Sequence, residues 1–265
     1  MIRDLAGLLA RVKEALADHT DLAVVGMSGG ADSTLVATLC AVLMGHDRVF
    51  SVHMPATQTD LTKFNKNSLA VAKKLDIRAF EIPIGDLAER FNLALSAGLG
   101  DKVLSPLNQG NSRARLRMSC LYGVAHQLAD EYPGKRVRVI GTGNLSEDFI
   151  GYDTKGGDAL ADYFVIGDLF KSEVYQLLDY FCDQGVLSPE LIDRMPSAGL
   201  WDGQTDEAEL GYSYNQMEPS VRKCLNGEKP SPDFTEIDHF VYSRHMAHKH
   251  KHEAPPVLSL RGFCS

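Results

Sequence analysis

The run Ser28-Gly29-Gly30-Ala31-Asp32-Ser33 follows directly on the apolar stretch Leu22 to Met27 and leads without a break into Thr34-Leu35-Val36-Ala37-Thr38-Leu39. That order predicts a strand, a small-residue turn and a helix N-terminus. Backbone N–H groups in such a turn converge on one point, and the helix dipole adds roughly half a positive charge there, so phosphate oxygens replace water at little cost. The turn from Ser28 to Ser33 is therefore a candidate anion cradle, with close backbone approach at Gly29 and Gly30 and hydroxyl donors at Ser28 and Ser33. Asp32 is out of place beside phosphate unless a hard divalent cation such as Mg²⁺ lies between them. The ordinary alternative is a helix cap, which needs one such residue rather than the whole series. A second candidate, Gly141-Thr142-Gly143-Asn144-Leu145-Ser146-Glu147, closes another apolar run. There Thr142 offers a hydroxyl to phosphate or ribose, and Glu147 a second carboxylate for the same cation. Downstream stand Lys155, Asp158, Asp162 and Lys171; a lysine can neutralise a phosphate as a point charge, although most exposed lysines do nothing.

These groups need a frame that brings distant loops together. Strand-like runs at Leu22 to Met27, Arg48 to Met54, Ile77 to Ile82 and Val137 to Gly141 alternate with helix-length segments such as Asp60 to Leu75. This alternation predicts an α/β fold with a doubly wound, mostly parallel sheet, taken as five-stranded and flanked by helices. Ligands of such sheets bind beyond the carboxyl ends of the strands, which selects the loops after Met27, at Pro55 to Asp60 and after Gly141. Leu5, Leu8, Leu9, Val12 and Leu16 share one face of a helix near residues 2–17. Residues 153–161 and 197–206 read as mobile loops of the kind that cover a site. No internal repeat is present. The basic segment 244–265 carries His245, His248, His250 and His252, metal-binding by composition alone, since alternate positions fix no geometry.

The 265 residues, 44% hydrophobic, suffice for one sizeable core, and a single domain over 1–265 is expected. A formal charge of −8 argues against nucleic acid as a partner, which needs clustered Lys and Arg. Five cysteines, odd in number and never in a Cys-x-x-Cys pair, suggest neither disulfides nor a zinc ribbon, and reduced cytoplasmic thiols are the simplest reading. No run approaches the ~18 apolar residues of a membrane span, and the charged N-terminus is unlike a signal peptide.

The first turn resembles the PP-loop of ATP pyrophosphatases, enzymes that split ATP between its α- and β-phosphates. The later segments sharpen the likeness: Gly110-Asn111-Ser112-Arg113-Ala114-Arg115-Leu116-Arg117-Met118, the run Gly141 to Glu147, Gly151-Tyr152-Asp153-Thr154-Lys155, Gly157-Asp158, Gly167-Asp168-Leu169-Phe170-Lys171, Pro196-Ser197-Ala198-Gly199-Leu200 and Gln204-Thr205-Asp206-Glu207. In this order they closely resemble ammonia-dependent NAD synthetase over nearly the whole chain. The resemblance implies an adenine nucleotide alpha hydrolase-like fold and a two-step reaction. The carboxylate of nicotinic acid adenine dinucleotide (deamido-NAD) attacks the α-phosphate of ATP, and ammonia opens the acyl-adenylate to give NAD, AMP and pyrophosphate. It further implies that Gly26 to Ser33, Thr142, Lys171 and Ser197 contact ATP, that Asp32 and Glu147 hold Mg²⁺, and that Arg115, Lys155, Asp162, His250 and Lys251 contact the dinucleotide. Catalysis would fall to Asp32, Glu147, Lys155, Asp158 and Lys171, with Asp158 as a group that takes a proton from ammonium. A homodimer is implied, to which a long helix from Asn111 to Tyr132 contributes. No glutaminase half is recognisable, so nitrogen is expected as free ammonia or from a separate glutaminase. The chain departs from the pattern at Asp153 and Gly156, where relatives usually carry aromatics, at Ala159-Leu160 in place of two glycines, at Asp162 to Val165, and at His53, where arginine is frequent. A different carboxylate substrate for the same adenylating chemistry is therefore the alternative. A tRNA-modifying PP-loop enzyme would show Cys-x-x-Cys or a basic surface, and a nucleotide-binding sensor would not need Asp32 and Glu147 together with Lys155 and Lys171.

Overall fold

A computed structural model describes residues 1–57, 65–192 and 205–261. Five strands, β1 (Leu22–Gly26), β2 (Val49–His53), β3 (Arg78–Glu81), β4 (Val137–Gly141) and β5 (Tyr163–Phe164), form one sheet in the order β3-β2-β1-β4-β5. Every pairing is parallel, with Val24 opposite Phe50 on one side of β1 and Val139 on the other. The four longer strands fall within about one residue of the apolar runs that predicted them. β5 is two residues long, too short for an apolar pattern to announce it.

Alternate residues of the strands enter two cores because a parallel sheet is covered on both faces. Ala23, Val25, Val49 and Ile140 pack with α1 (Leu5–His19), α2 (Ala31–Met44), α3 (Asn65–Lys74) and α7 (Lys171–Asp183). Leu22, Val24, Phe50, Val52, Val137 and Val139 face α5 (Pro106–Glu131), through Ala125 and Leu128, and Ile84 at the head of α4 (Gly85–Gly98). The central helix α2 is covered almost all round, with Ala31 and Ser33 through Ala41 buried. α5 begins five residues before the predicted long helix, capped by the Ser105 hydroxyl with Pro106 in its first turn.

Beyond β4 come α6 (Leu145–Phe149), α8 (Asp206–Leu210), α9 (Tyr214–Leu225) and α10 (Glu236–His248). A third core holds them together: Ile150, Phe170, Leu210, Tyr214, Met217, Val221 and Val241. This cluster joins the start of α7, through Phe170, to those four helices.

Candidate active site

The turn after β1 is built to be left open. Gly29 has φ +78°, a conformation that excludes most side chains, and Asn67 on α3 donates to its carbonyl at 2.9 Å. At Gly30, the N-cap of α2, no side chain caps the helix. Ser33 Oγ donates back to the Gly30 carbonyl at 3.2 Å, and Asp32 turns away from the first turn. The plain-cap alternative is thus set aside, since neither residue accepts from the helix's first N–H groups. Those donors remain directed at whatever lies over the turn.

Asp32 is held in a buried ionic knot. Its Oδ1 accepts from Asn144 Nδ2 at 2.9 Å, while Lys171 Nζ lies 2.5 Å from its Oδ2 and 2.8 Å from Glu147 Oε1. The fully buried Asn144 also caps α6, its Oδ1 accepting the Glu147 N–H at 3.1 Å. One amide therefore sets the carboxylates of both loops. Burial raises the Glu147 pKa, opposed by the Lys171 charge. Burial pulls that of Lys171 down, but Asp32 and Glu147 more than offset it, so the ammonium stays charged.

A cavity of about 480 Å³ opens above this knot and runs from the glycine turn past Thr142 and Gly143 to Asp148, Asp153, Asp158 and Lys251. Asp158 accepts from the Thr154 N–H at 2.8 Å, and desolvation raises its pKa even though the residue stays open to the cavity. Gly151, φ +64°, lies so close to α10 that a Cβ there would meet the Cβ of His248 at 2.2 Å. Arg244 and His245 donate toward or contact the carbonyls of Ile150 and Phe149, pinning α10 to the same turn.

The chain after α10 is clamped to residues 151–158. Lys251 Nζ donates to the carbonyls of Gly151 at 2.7 Å and Asp153 at 2.6 Å, and Lys155 Nζ to that of His250 at 2.6 Å. Asp153, its side chain 4% exposed, pairs with Lys251 and with His252 Nε2, 2.6 Å away. Asp148 lies within 4.8 Å of both Asp153 and His252. An aromatic at Asp153 would leave Lys251 and His252 without this partner.

Of the residues singled out from sequence, Gly26, Met27, Ser28, Gly30 to Ser33, Thr142, Glu147, Asp158, Lys171 and Lys251 line the cavity. Arg115, Lys155, Asp162 and His250 do not line it. Arg115 is exposed and donates to the Lys155 carbonyl at 3.2 Å; Asp162 accepts from Val139 N–H at 2.8 Å and Tyr122 hydroxyl at 3.3 Å, beside the sheet edge. Ser197 and most of the 197–206 loop lie outside the described residues. Asn144, Asp148 and Asp206 are cavity or knot residues to which the sequence assigned no role. Asp206, buried, accepts from the Tyr214 hydroxyl at 2.9 Å, and the Tyr214 ring lies 5.6 Å from Lys171 Nζ.

Residues 5–253 match the NAD synthase family. The NH(3)-dependent NAD(+) synthetase of Methanosarcina mazei is 37% identical over 97% of this chain and 99% of its own length. Among solved structures, an NMN synthetase from Francisella tularensis superposes with a TM-score of 0.75 and 29% identity over 96% of each chain. The NH3-dependent NAD synthetase from Campylobacter jejuni does so with 0.69 and 26%, also over 96% of each. With the family pattern running through nearly its entire length and the same fold in the solved structures, the chain belongs to the NAD synthase family.

Proposed function

We propose that the protein is an ATP-dependent, ammonia-using NAD synthetase, which amidates nicotinic acid adenine dinucleotide to NAD with release of AMP and pyrophosphate. The observation that carries this reading is the Asp32–Lys171–Glu147 knot directly over an uncapped helix N-terminus. It combines fixed amide donors with a buried ammonium and two hard carboxylates.

In the first step the nicotinate carboxylate attacks the α-phosphate and pyrophosphate leaves. The N–H groups from Ser28 to Ser33 receive the departing phosphates, and Thr142, in the cavity lining, is a further donor. Lys171 swings its ammonium onto phosphate oxygens while Asn144 holds Asp32 in place. Preorganised charge of this sort accounts for most of the rate in nucleotidyl transfer. Asp32 and Glu147 suit Mg²⁺: both are hard oxygen donors, and both line the cavity beside the glycine turn. Mg²⁺ bound there would neutralise charge building on the pyrophosphate. In the second step ammonia must be neutral to attack. Asp158, with its raised pKa and access to the cavity, takes the proton from arriving ammonium. Arg115, Lys155, Asp162, His250 and Lys251 are assigned to the dinucleotide, the lysines by opening their clamp, and Ser197 to ATP.

Exposed Leu87, Phe91, Leu93, Leu99, Val103 and Leu107 on and between α4 and α5 support a homodimer through this face. No helix among the described residues is long and apolar enough to cross a membrane, which fits a cytoplasmic enzyme. The likeness to an NMN synthetase supports a second reading, nicotinic acid mononucleotide as the acid amidated. Purified protein given Mg-ATP, ammonium and each acid in turn, with glutamine replacing ammonium in parallel, separates the cases. NAD from the dinucleotide with ammonium supports the proposal, NMN from the mononucleotide alone transfers it to the second reading, and no AMP with either acid overturns both.

A further inference from the structure

Helix α7 begins without a cap of its own. Phe170 stands at the N-cap and has no side-chain oxygen, so the first N–H groups of the helix need acceptors from elsewhere. The Phe170 N–H finds Glu173 at 3.0 Å and the Lys171 N–H finds Ser146 Oγ at 2.9 Å. The Ser172 N–H finds Glu218 Oε1 at 3.0 Å. Glu218 comes from α9 and is 6% exposed. It also accepts from the Ser172 hydroxyl at 2.6 Å and from the Ser146 hydroxyl at 3.2 Å. One buried carboxylate therefore fastens both Ser172, the neighbour of Lys171, and Ser146, the neighbour of Glu147. Because Lys171 is the first residue of α7, its direction follows the angle at which that helix starts. A carboxylate at a helix N-terminus is also favoured by the dipole.

We propose that Glu218 is a positioning residue for adenylation: it locks the start of α7 to the start of α6, so that the Lys171 ammonium and Glu147 carboxylate meet over the glycine turn. The proposal rests on the reading of that turn as the ATP site. Glu218 does not line the cavity, so it acts through Lys171 and Glu147 rather than on substrate.

The test is a double-mutant cycle on MgATP affinity, measured by calorimetry for wild type, Glu218→Ala, Lys171→Met and the double variant, with kcat and KM taken on the active members. Glu218→Ala is expected to lose about tenfold in MgATP affinity and in kcat, with KM for the acid substrate little changed, as for a group misplaced by a fraction of an ångström. Glu218→Gln, which keeps an acceptor for the Ser172 N–H, is expected to recover most of the affinity. In the Lys171→Met background the Glu218 substitution should cost clearly less than in wild type, only the route through Glu147 being left. Full additivity, or wild-type affinity in Glu218→Ala, overturns the proposal. If Glu218→Ala does not fold, Ser172→Ala removes one of the bonds with no change of charge. A loss of affinity that shrinks in Lys171→Met supports the positioning role, and no loss overturns it. Failure of the wild type itself to bind MgATP overturns the ATP-site reading instead.

Discussion

Replacing Lys171 with Met keeps the unbranched side chain up to its last atom and removes its charge. Asp32 and Glu147 then face each other, each within 2.8 Å of the place the nitrogen held and each with its side chain only 18% exposed. Two carboxylates roughly 5 Å apart at an effective dielectric near 20 repel by ~3 kcal/mol, in line with the ~3–5 kcal/mol lost when one member of a buried pair is removed. For a chain of this size each kcal/mol moves the melting midpoint by about 2 °C, so a drop of about 6–10 °C is expected. Glu147, whose pKa burial raises and Lys171 holds back, will take up a proton more readily in the variant. The deficit should therefore be greatest in alkaline buffer, where Glu147 is ionised, and shrink as pH falls. Millimolar MgCl₂ without nucleotide should restore much of the lost stability to the variant and move the wild type little, because in the wild type the ammonium already supplies the charge. The assay is thermal unfolding with EDTA or MgCl₂ across pH. A variant that melts within about 2 °C of wild type in alkaline EDTA, or that Mg²⁺ leaves unmoved, would refute the assignment of Lys171 as the counter-charge of this site.

Three further perturbations follow from the same geometry. His53 is fully buried between the hydroxyls of Ser68 and Ser51, at 2.7 and 3.0 Å, and burial depresses its pKa from 6.5 to about 4. A base held neutral in the fold contributes stability present above pH 6.5 and lost as pH falls toward 4; His53→Asn should remove up to ~3 kcal/mol of that acid sensitivity, read from denaturant midpoints along a pH series. Gly151→Ala combines an unfavourable φ with a clash against His248 and should destabilise by ~1–3 kcal/mol, with α10 amides exchanging faster; wild-type stability would contradict the close packing. Asp158→Asn should leave ATP binding intact while depressing ammonia-dependent turnover most at neutral pH, where ammonium predominates. Unchanged turnover from pH 7 to 9 would exclude Asp158 as the proton acceptor.

Much of the frame was legible because parallel strands buried on both faces leave continuous apolar runs. Leu22 to Met27 and Val137 to Gly141 need no context to be read, and the turn between Met27 and Thr34 carries its own chemistry. β5 was not legible, since Tyr163-Phe164 pairs with β4 by virtue of where the preceding turn delivers it. In the site, sequence supplied Asp32, Glu147 and Lys171 but not that a single amide, Asn144, ties the first two loops together. Such a residue reads as an ordinary N-cap until the distant partner is known. Asp162 shows the converse, a carboxylate named for substrate that the fold also uses to hold the Val139 N–H beside the sheet edge. Its type and position in the chain gave no sign of that second use. Glu218 was silent because its partners are 46 and 72 residues away, far beyond any local pattern.

The turn proposed to receive phosphate runs into the first turn of α2, the helix most completely enclosed by the core. The backbone entropy of ordering the turn is accordingly settled during folding, before any nucleotide arrives. Its amide hydrogens can exchange with solvent deuterium from the exposed ligand side at Ser28, whereas those from Leu35 onward should exchange only when the domain opens as a whole. Substitutions at Val36 or Leu39, which never approach a ligand, would then appear as weakened nucleotide binding only to the extent that they loosen the entire molecule. In this architecture affinity for the nucleotide is a reporter of global stability.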